Sequence, residues 1–203
     1  MSEAIVTSGV IAVVVLGFGA QNRAMLAAGA ARSLRPVVDG MVASIGGGLM
    51  LFALAFGALH FFAAWVSSTA MIIAALFLAL SGLGRYVATP PGGYGPGEAD
   101  EADMARVLAF KPDAAMLPMD HFKSAESWAL ALFLGGAAGS GSVSLSGAFA
   151  GLTLLSAAAL GIWALAGWSG CLHLASNWHR RHLDWAFGIL MFVAALASLA
   201  PSG

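Results

Sequence analysis

Apolar residues run along this chain in long blocks with short polar interruptions between them. Residues 5–31 are apolar except for Gln21-Asn22-Arg23 near the end of the block. Residues 36–66 follow, interrupted by Asp39 and His60, and then the uninterrupted block 69–86. Residues 88–124 change character, with five prolines, several glycines and most of the acidic side chains. Apolar character resumes at 127–139, continues after a Gly/Ser patch as 143–168, and returns at 183–200. A helix needs roughly 20 apolar residues to cross the hydrocarbon core of a bilayer. The pattern predicts an all-α integral membrane protein with six transmembrane helices, the fourth being short. Residues 169–181 are amphipathic and are expected at the membrane interface. Residues 88–124 read as one polar loop with a short helix at 100–110.

Charge placement supports this count. The chain has 203 residues, with nine Lys+Arg and ten Asp+Glu. Arg23, Arg32 and Arg35 lie at or before the connection between spans one and two. Arg85, Arg106, Lys111 and Lys123 lie between spans three and four, and Arg180 and Arg181 between spans five and six. The other connections and both ends carry no Lys or Arg. Under the positive-inside rule, six spans place all of these residues on the cytoplasmic side and both termini outside. Merging spans four and five would send Arg180 and Arg181 to the opposite face. The expected organisation is a first three-helix half (1–87), a cytoplasmic polar loop (88–125) and a second three-helix half (126–203). Two halves of three spans suggest an inverted repeat, a common transporter plan.

Composition narrows the function classes. The chain is 60% hydrophobic and 9% charged, with a mean hydropathy of +0.86. Soluble domains are near 25% charged, so a cytosolic enzyme is excluded, as is a disordered chain. A net charge of −1 points to no nucleic-acid partner. The single cysteine, Cys171, leaves the redox compartment open. Residues 1–4 lack the positive region of a signal peptide, so the first block reads as a retained span.

Polar or flexible residues inside lipid need a reason. Leu16–Arg23 reads L-G-F-G-A-Q-N-R, placing two glycines and a Gln-Asn pair at the inner end of span one. Gln21 and Asn22 could contact a zwitterionic substrate, stabilise a helix break, or bond to a neighbouring helix. Gly135, Gly136 and Gly139 lie in the Gly/Ser patch, and Gly46, Gly47 and Gly48 in span two. They are candidates for hinges or close packing. Gly135/Gly139 and Gly147/Gly151 have the spacing that lets helices touch. Asp39 is either a proton-coupling site or an interfacial carboxylate paired with arginine, and His60 reads as a packing residue. His173, His179, His182 and Asp184 cluster near span six, where an interfacial anchor explains them better than a metal site. Asp120-His121 is a weaker metal candidate still. No metal, cofactor or catalytic residue is expected. No acidic residue falls deep in a span, which favours a neutral or zwitterionic substrate.

At Gly19-Ala20-Gln21-Asn22 the sequence resembles the LysE superfamily of amino-acid exporters, whose members carry a G-[AP]-Q-N signature late in the first span. Leu26, Gly29 and Arg32 match the aliphatic, glycine and arginine positions that follow it. Pro36-Val37 sits where the second span of many members begins, and the apolar run from Trp185 to Leu199 is similar to the family's last helix. The acidic residue usual in the second span falls at Ile45, beside Ser44, and Ser124-Ala125-Glu126 stands where an Asn-Pro motif is usual. The carboxylates of the cation-transporting branch would fall at Gly17 and Ala20, which argues against ion exchange of that type. The resemblance implies a bacterial inner-membrane transporter, not an enzyme, exporting an amino acid or similar small polar metabolite by alternating access. It implies Gln21, Asn22 and Gly19 as the substrate site, with Asp39 as a coupling residue. Expected partners are the bilayer, the substrate, and further copies of the chain or a larger membrane complex. The alternative is a non-transporting subunit docked on such a complex.

Overall fold

The computed structural model describes residues 3–17, 19–87, 117–175 and 177–200, and their side chains apart from those of 175 and 177–181. All regular structure among them is helical. In chain order the elements are α1 (Glu3–Leu16), α2 (Ala20–Ala30), α3 (Leu34–His60) and α4 (Ala64–Val87), then α5 (Leu117–Lys123), α6 (Ala125–Ser140) and α7 (Leu145–Trp168). A 3₁₀ turn at Leu172–Ala175 leads into α8 (Asn177–Ala197).

Helices α3, α4 and α7 are long and apolar enough to cross a membrane. Their 27, 24 and 24 residues correspond to at least about 36 Å at 1.5 Å per residue. Helices α1 and α2 meet at 61° across a short break and together make a fourth candidate. Helix α6 has 16 residues, and the apolar part of α8 is His182–Ala197. Both fall short of a full crossing by length and composition.

The ends follow local chemistry. Ser124 Oγ accepts from Ser127 N–H (3.2 Å) at the start of α6, and Ser144 Oγ from Gly147 N–H (3.1 Å) at the start of α7, each satisfying an orphan donor. Gly141 ends α6 at φ +82°, a left-handed position that glycine takes without a Cβ clash. Glycines 17 and 19 flank the break in the first apolar block, where each costs the helix about 1 kcal/mol relative to alanine.

Two regions depart from the sequence reading. Residues 117–123, expected in the polar loop, form α5, which packs on α3. Leu117 is buried beside Met25, Leu26, Leu160 and Trp163, and Pro118 lies against Gly47. One apolar anchor and a proline in the first turn are enough to seat this short helix once α3 presents a glycine notch. The helix expected at 100–110 lies outside the described residues, as do Arg106 and Lys111. The interfacial stretch 169–181 is divided between the 3₁₀ turn and the first turn of α8.

The bundle turns its small residues inward. On α4, Ser67, Ala74, Ala75, Leu78, Ala79 and Gly82 are buried, while Ile72, Ile73, Leu76, Phe77, Leu80 and Leu83 are exposed. Exposed apolar faces of this extent suit contact with lipid, and small buried residues let helix backbones approach closely. A Cβ on Gly82 would sit 2.6 Å from Gly188 O on α8, and one on Gly188 would sit 2.6 Å from Gly82 O. Gly29 and Gly167 make a similar crossing of α2 and α7, each without room for a Cβ against the Ala164 and Leu26 carbonyls respectively. Helix α6 runs unbroken through Gly135, Gly136 and Gly139. A Cβ on Gly135 would meet the α3 backbone at Ala55–Phe56, and Cβ atoms on Gly136 and Gly139 would meet α4 at Ser67. Gly46 faces open space, and Gly147 and Gly151 meet side chains only, so the Gly147/Gly151 spacing makes no backbone crossing.

Contacts between residues 3–87 and residues 117–200 run in corresponding pairs. The broken pair α1/α2 packs on α7, and α6 packs on α3; α4 packs on α6, and α8 on α1; α4 and α8 pack on each other. The largest apolar cluster collects Val10, Ile11, Phe52, Leu78, Phe133, Leu134, Leu152 and Met191 from α1, α3, α4, α6, α7 and α8.

Gly188→Ala is expected to destabilise the protein by about 1–3 kcal/mol, because backbone on both sides of the contact must shift. Gly84→Ala, which meets nothing within 4 Å, is expected to be neutral or slightly stabilising. Thermal unfolding of the two variants in one detergent checks the contrast.

Candidate functional site: a polar cavity between two helix breaks

The break after α1 leaves carbonyls that no helical N–H can reach, and three of them are met by side chains. Asn22 Nδ2 donates to Val15 O (2.8 Å) and Gly17 O (2.6 Å), and Trp163 Nε1 donates to Leu16 O (3.1 Å). Asn22 is 4% exposed. Its amide is thus committed to the break, and Gly19 provides the extended residue (φ −88°, ψ −177°) from which α2 starts.

A second break, at Ser124 between α5 and α6, faces the first across a cavity of about 130 Å³. Gly17, Gly19, Gln21 and Asn22 line it from one side. Asp120, His121, Ser124, Glu126 and Ser127 line it from the other, with Ser44 and Gly48 of α3, Arg85 of α4 and Ser156 of α7 between them. Its inner wall is apolar, from Val14, Leu130, Leu134 and Leu152.

One chain of hydrogen bonds crosses the cavity wall. Ser44 Oγ donates to Gln21 Oε1 at 2.7 Å. His121 Nε2 lies 2.8 Å from Ser44 O, and His121 Nδ1 lies 3.2 Å from Ser127 Oγ. A carbonyl can only accept, so Nε2 carries the proton. In the neutral ring Nδ1 then accepts from the Ser127 hydroxyl. Burial lowers the His121 pKa from its usual 6.5, against the raising effects of the Ser44 carbonyl and the Asp120 charge. The neutral ring is the form this wall is built around. Gln21 Nε2 has no hydrogen-bond partner among the described residues.

Charge enters at the cavity edge. Arg85 Nε donates to Glu126 Oε1 at 3.0 Å and Arg85 Nη2 to Glu126 Oε2, a two-pronged pair. Arg85 Nη1 lies 3.8 Å from Asp184 Oδ1. The three side chains are each about one-quarter exposed and tie the end of α4 to the starts of α6 and α8. A Cβ on Gly17 would lie 3.1 Å from Arg85 Nη1, so the guanidinium also borders the first break.

The structure brings Gln21, Asn22, Gly19 and Gly48 together at the cavity. Gly47 serves the seating of α5, and Gly135, Gly136 and Gly139 serve packing of α6 away from the cavity. Asp39 is half exposed, pairs with Arg35 at 3.7 Å, and does not line the cavity. His60 is exposed at the end of α3, its ring 5.3 Å from that of Phe56. Asp184 faces Arg85, and among the described residues no three His, Cys, Asp or Glu side chains are grouped to hold a metal. Arg85, Glu126, Ser44 and Ser127 are site residues that sequence reasoning missed, and the sequence singles out His121 only as a weak metal candidate. Glu126 carries one usable signal, a carboxylate in the first turn after a serine N-cap. The others become neighbours only through packing.

Comparison of the chain with protein-family models, curated proteins and solved structures finds no match.

The folded state favours neutral His121, so the unfolded chain binds more protons as the pH drops below about 6.5. Its contribution to stability is whole above that value and is lost as pH falls through it toward the lower folded pKa. Thermal unfolding between about pH 7 and pH 5 should show this loss, and His121→Gln should flatten it. Asn22→Ala should lower stability by about 1–3 kcal/mol, the cost of removing the side-chain donor from Val15 O and one of the two donors from Gly17 O, which keeps the Gly19 N–H, measured by the same unfolding assay.

Proposed function

We propose that this chain is a multi-pass transporter of the bacterial inner membrane, similar to the LysE exporters, that moves an amino acid or similar small polar metabolite outward by alternating access. The observation that carries the reading is the polar cavity enclosed by two helix breaks in an otherwise apolar bundle. Irregular backbone at membrane depth is tolerated where it lines a cavity, and broken helices facing each other are a recurrent way to build a transport site. In this reading α1/α2, α6 and α8 join α3, α4 and α7 as the six spans, with the termini outside. The paired contacts between the halves are those that an inverted repeat produces. Arg23, Arg32 and Arg85 lie at the cavity end of the bundle, so the positive-inside rule turns this cavity toward the cytoplasm.

The substrate roles follow from what each side chain has left to offer. Gln21 keeps an amide NH₂ with no partner among the described residues and is the leading substrate contact. Asn22 acts through the break it stabilises. Arg85 and Glu126 pair with each other at one edge, and exchange of that pairing for a zwitterion's carboxylate and ammonium seats the substrate there. The alternating movement hinges on the Gly17–Gly19 break. A coupling role passes from Asp39, which is outside the cavity, to the titratable groups that line it.

Efflux from loaded vesicles or cells tests the reading. Gln21→Ala is expected to reduce amino-acid efflux by about tenfold, the effect of one lost hydrogen bond of roughly 1.4 kcal/mol, with a loss of stability of about 1 kcal/mol from the vacated Ser44 hydroxyl. Wild-type efflux in that variant would remove Gln21 from the site. Absence of efflux by the native protein, together with stoichiometric co-purification with a larger membrane complex, would replace the transporter by a docked subunit.

A further inference from the structure

A second cavity, of about 220 Å³, lies at the opposite end of the bundle. Its wall includes Thr7 near the start of α1, Met71 in the first half of α4, Ser142 just after α6, and Ser198 just after α8. The first cavity instead meets α1 at Val14 and Val15, α4 at Arg85, and α6 from its first turn onward. The two cavities therefore enter the same helices from opposite ends.

Little separates them. On α1, Thr7 walls one cavity and Val14 the other. That spacing is about two helical turns, or about 10 Å, in a hydrocarbon core of about 30 Å. On α6 the neighbours Phe133 and Leu134 wall the outer and the inner cavity respectively. The space between is occupied by Val10, Ile11, Phe133 and Leu134, all at most 2% exposed and all in one apolar cluster. Among these four side chains there is no polar atom to hold water or solute.

We infer that the second cavity is the outer half of a single pathway along α1, joined to the inner cavity across an apolar gate formed by Val10, Ile11 and Phe133. The inference rests on the transporter reading and assigns its exit. Helix α1 is the element that moves: it ends at the break, it supplies Val10 and Ile11 of the gate, and the bonds from Asn22 and Trp163 to its last carbonyls hold its inner end as the pivot. Tilting α1 away from α6 opens the barrier without breaking any helical hydrogen bond. The outer cavity presents the carboxylate-bearing Glu3 beside the hydroxyls of Thr7, Ser142 and Ser198, a polar lining that a small polar solute can enter and leave.

Cysteine accessibility tests this without knowledge of the substrate. Single cysteines are placed at Ser142 and Ser198 in the outer cavity and at Ser127 and Ser156 in the inner one, each in a Cys171→Ser background. Sealed vesicles of each orientation are treated with a membrane-impermeant maleimide. The expected result is reaction of the outer pair from one membrane face alone and of the inner pair from the other alone. Reaction of both pairs from the same face, or no reaction of the outer pair from either face, overturns the inference. Adding Phe133→Ala to Ser127→Cys should abolish face selectivity by opening the gate. Retained selectivity in a variant that still purifies as a folded protein overturns the gate assignment. Opposite-face labelling of a wild-type chain that shows no amino-acid efflux would discard the export reading and leave the two cavities and their gate in place.

Discussion

The structure depends on how the first apolar block is interrupted. A helix break in an apolar surrounding strands carbonyl groups, and each one left bare costs several kcal/mol. Here Asn22 reaches back to two of them and Trp163 reaches across from α7 to a third. Asn22 sits on α2 and can reach only because the chain turns by 61° at the break. Trp163 can reach only because α7 lies close, and α7 lies close because Gly29 and Gly167 remove the side chains that would hold it off α2. Break, turn and close crossing therefore require one another. Without any of the three, the space that becomes the cavity would be filled by helix.

The remaining packing follows the same economy of side-chain size. Lipid competes for large apolar groups as well as a protein core does, so association rests on close contact between small residues. Gly82 and Gly188 bring α4 and α8 together, and Gly135, Gly136 and Gly139 seat α6 between α3 and α4. These contacts bring Arg85, Glu126 and Asp184 to one level, where a single guanidinium spans two carboxylates. Such ion pairs add little net stability, because the desolvation of the charges offsets much of their attraction. Their importance lies in placing opposite charges at the edge of a cavity whose wall otherwise carries one charged side chain, Asp120.

Much of the architecture was legible in the residues. The apolar blocks anticipated α3, α4 and α7 closely, and the Gly-x-Gly-x-Gln-Asn run marked the break and one wall of the cavity. The short fourth block matches α6, whose length is below that of a full crossing. Less was legible in the loop. Asp120-His121 read only as a weak metal candidate in a polar loop, because the prolines and acidic residues around it masked the apolar anchor Leu117 and the fit of Pro118 against Gly47. Asp39 drew attention as an acidic residue in an apolar block, yet helix geometry put Arg35 one turn away and both on the outside.

By itself the sequence determined that the chain is all-helical and bilayer-compatible, and where the backbone would yield. Those properties depend on local hydropathy, on glycine's low helix propensity and on the spacing of charges, which neighbours in the chain set. Only the tertiary structure decided which polar groups share a cavity. Gln21, Ser44, Arg85, His121, Glu126 and Ser127 come from five different helices, and no periodicity links them. Their meeting depends on which helix faces are small enough to touch, a property of pairs of helices that a linear pattern does not encode.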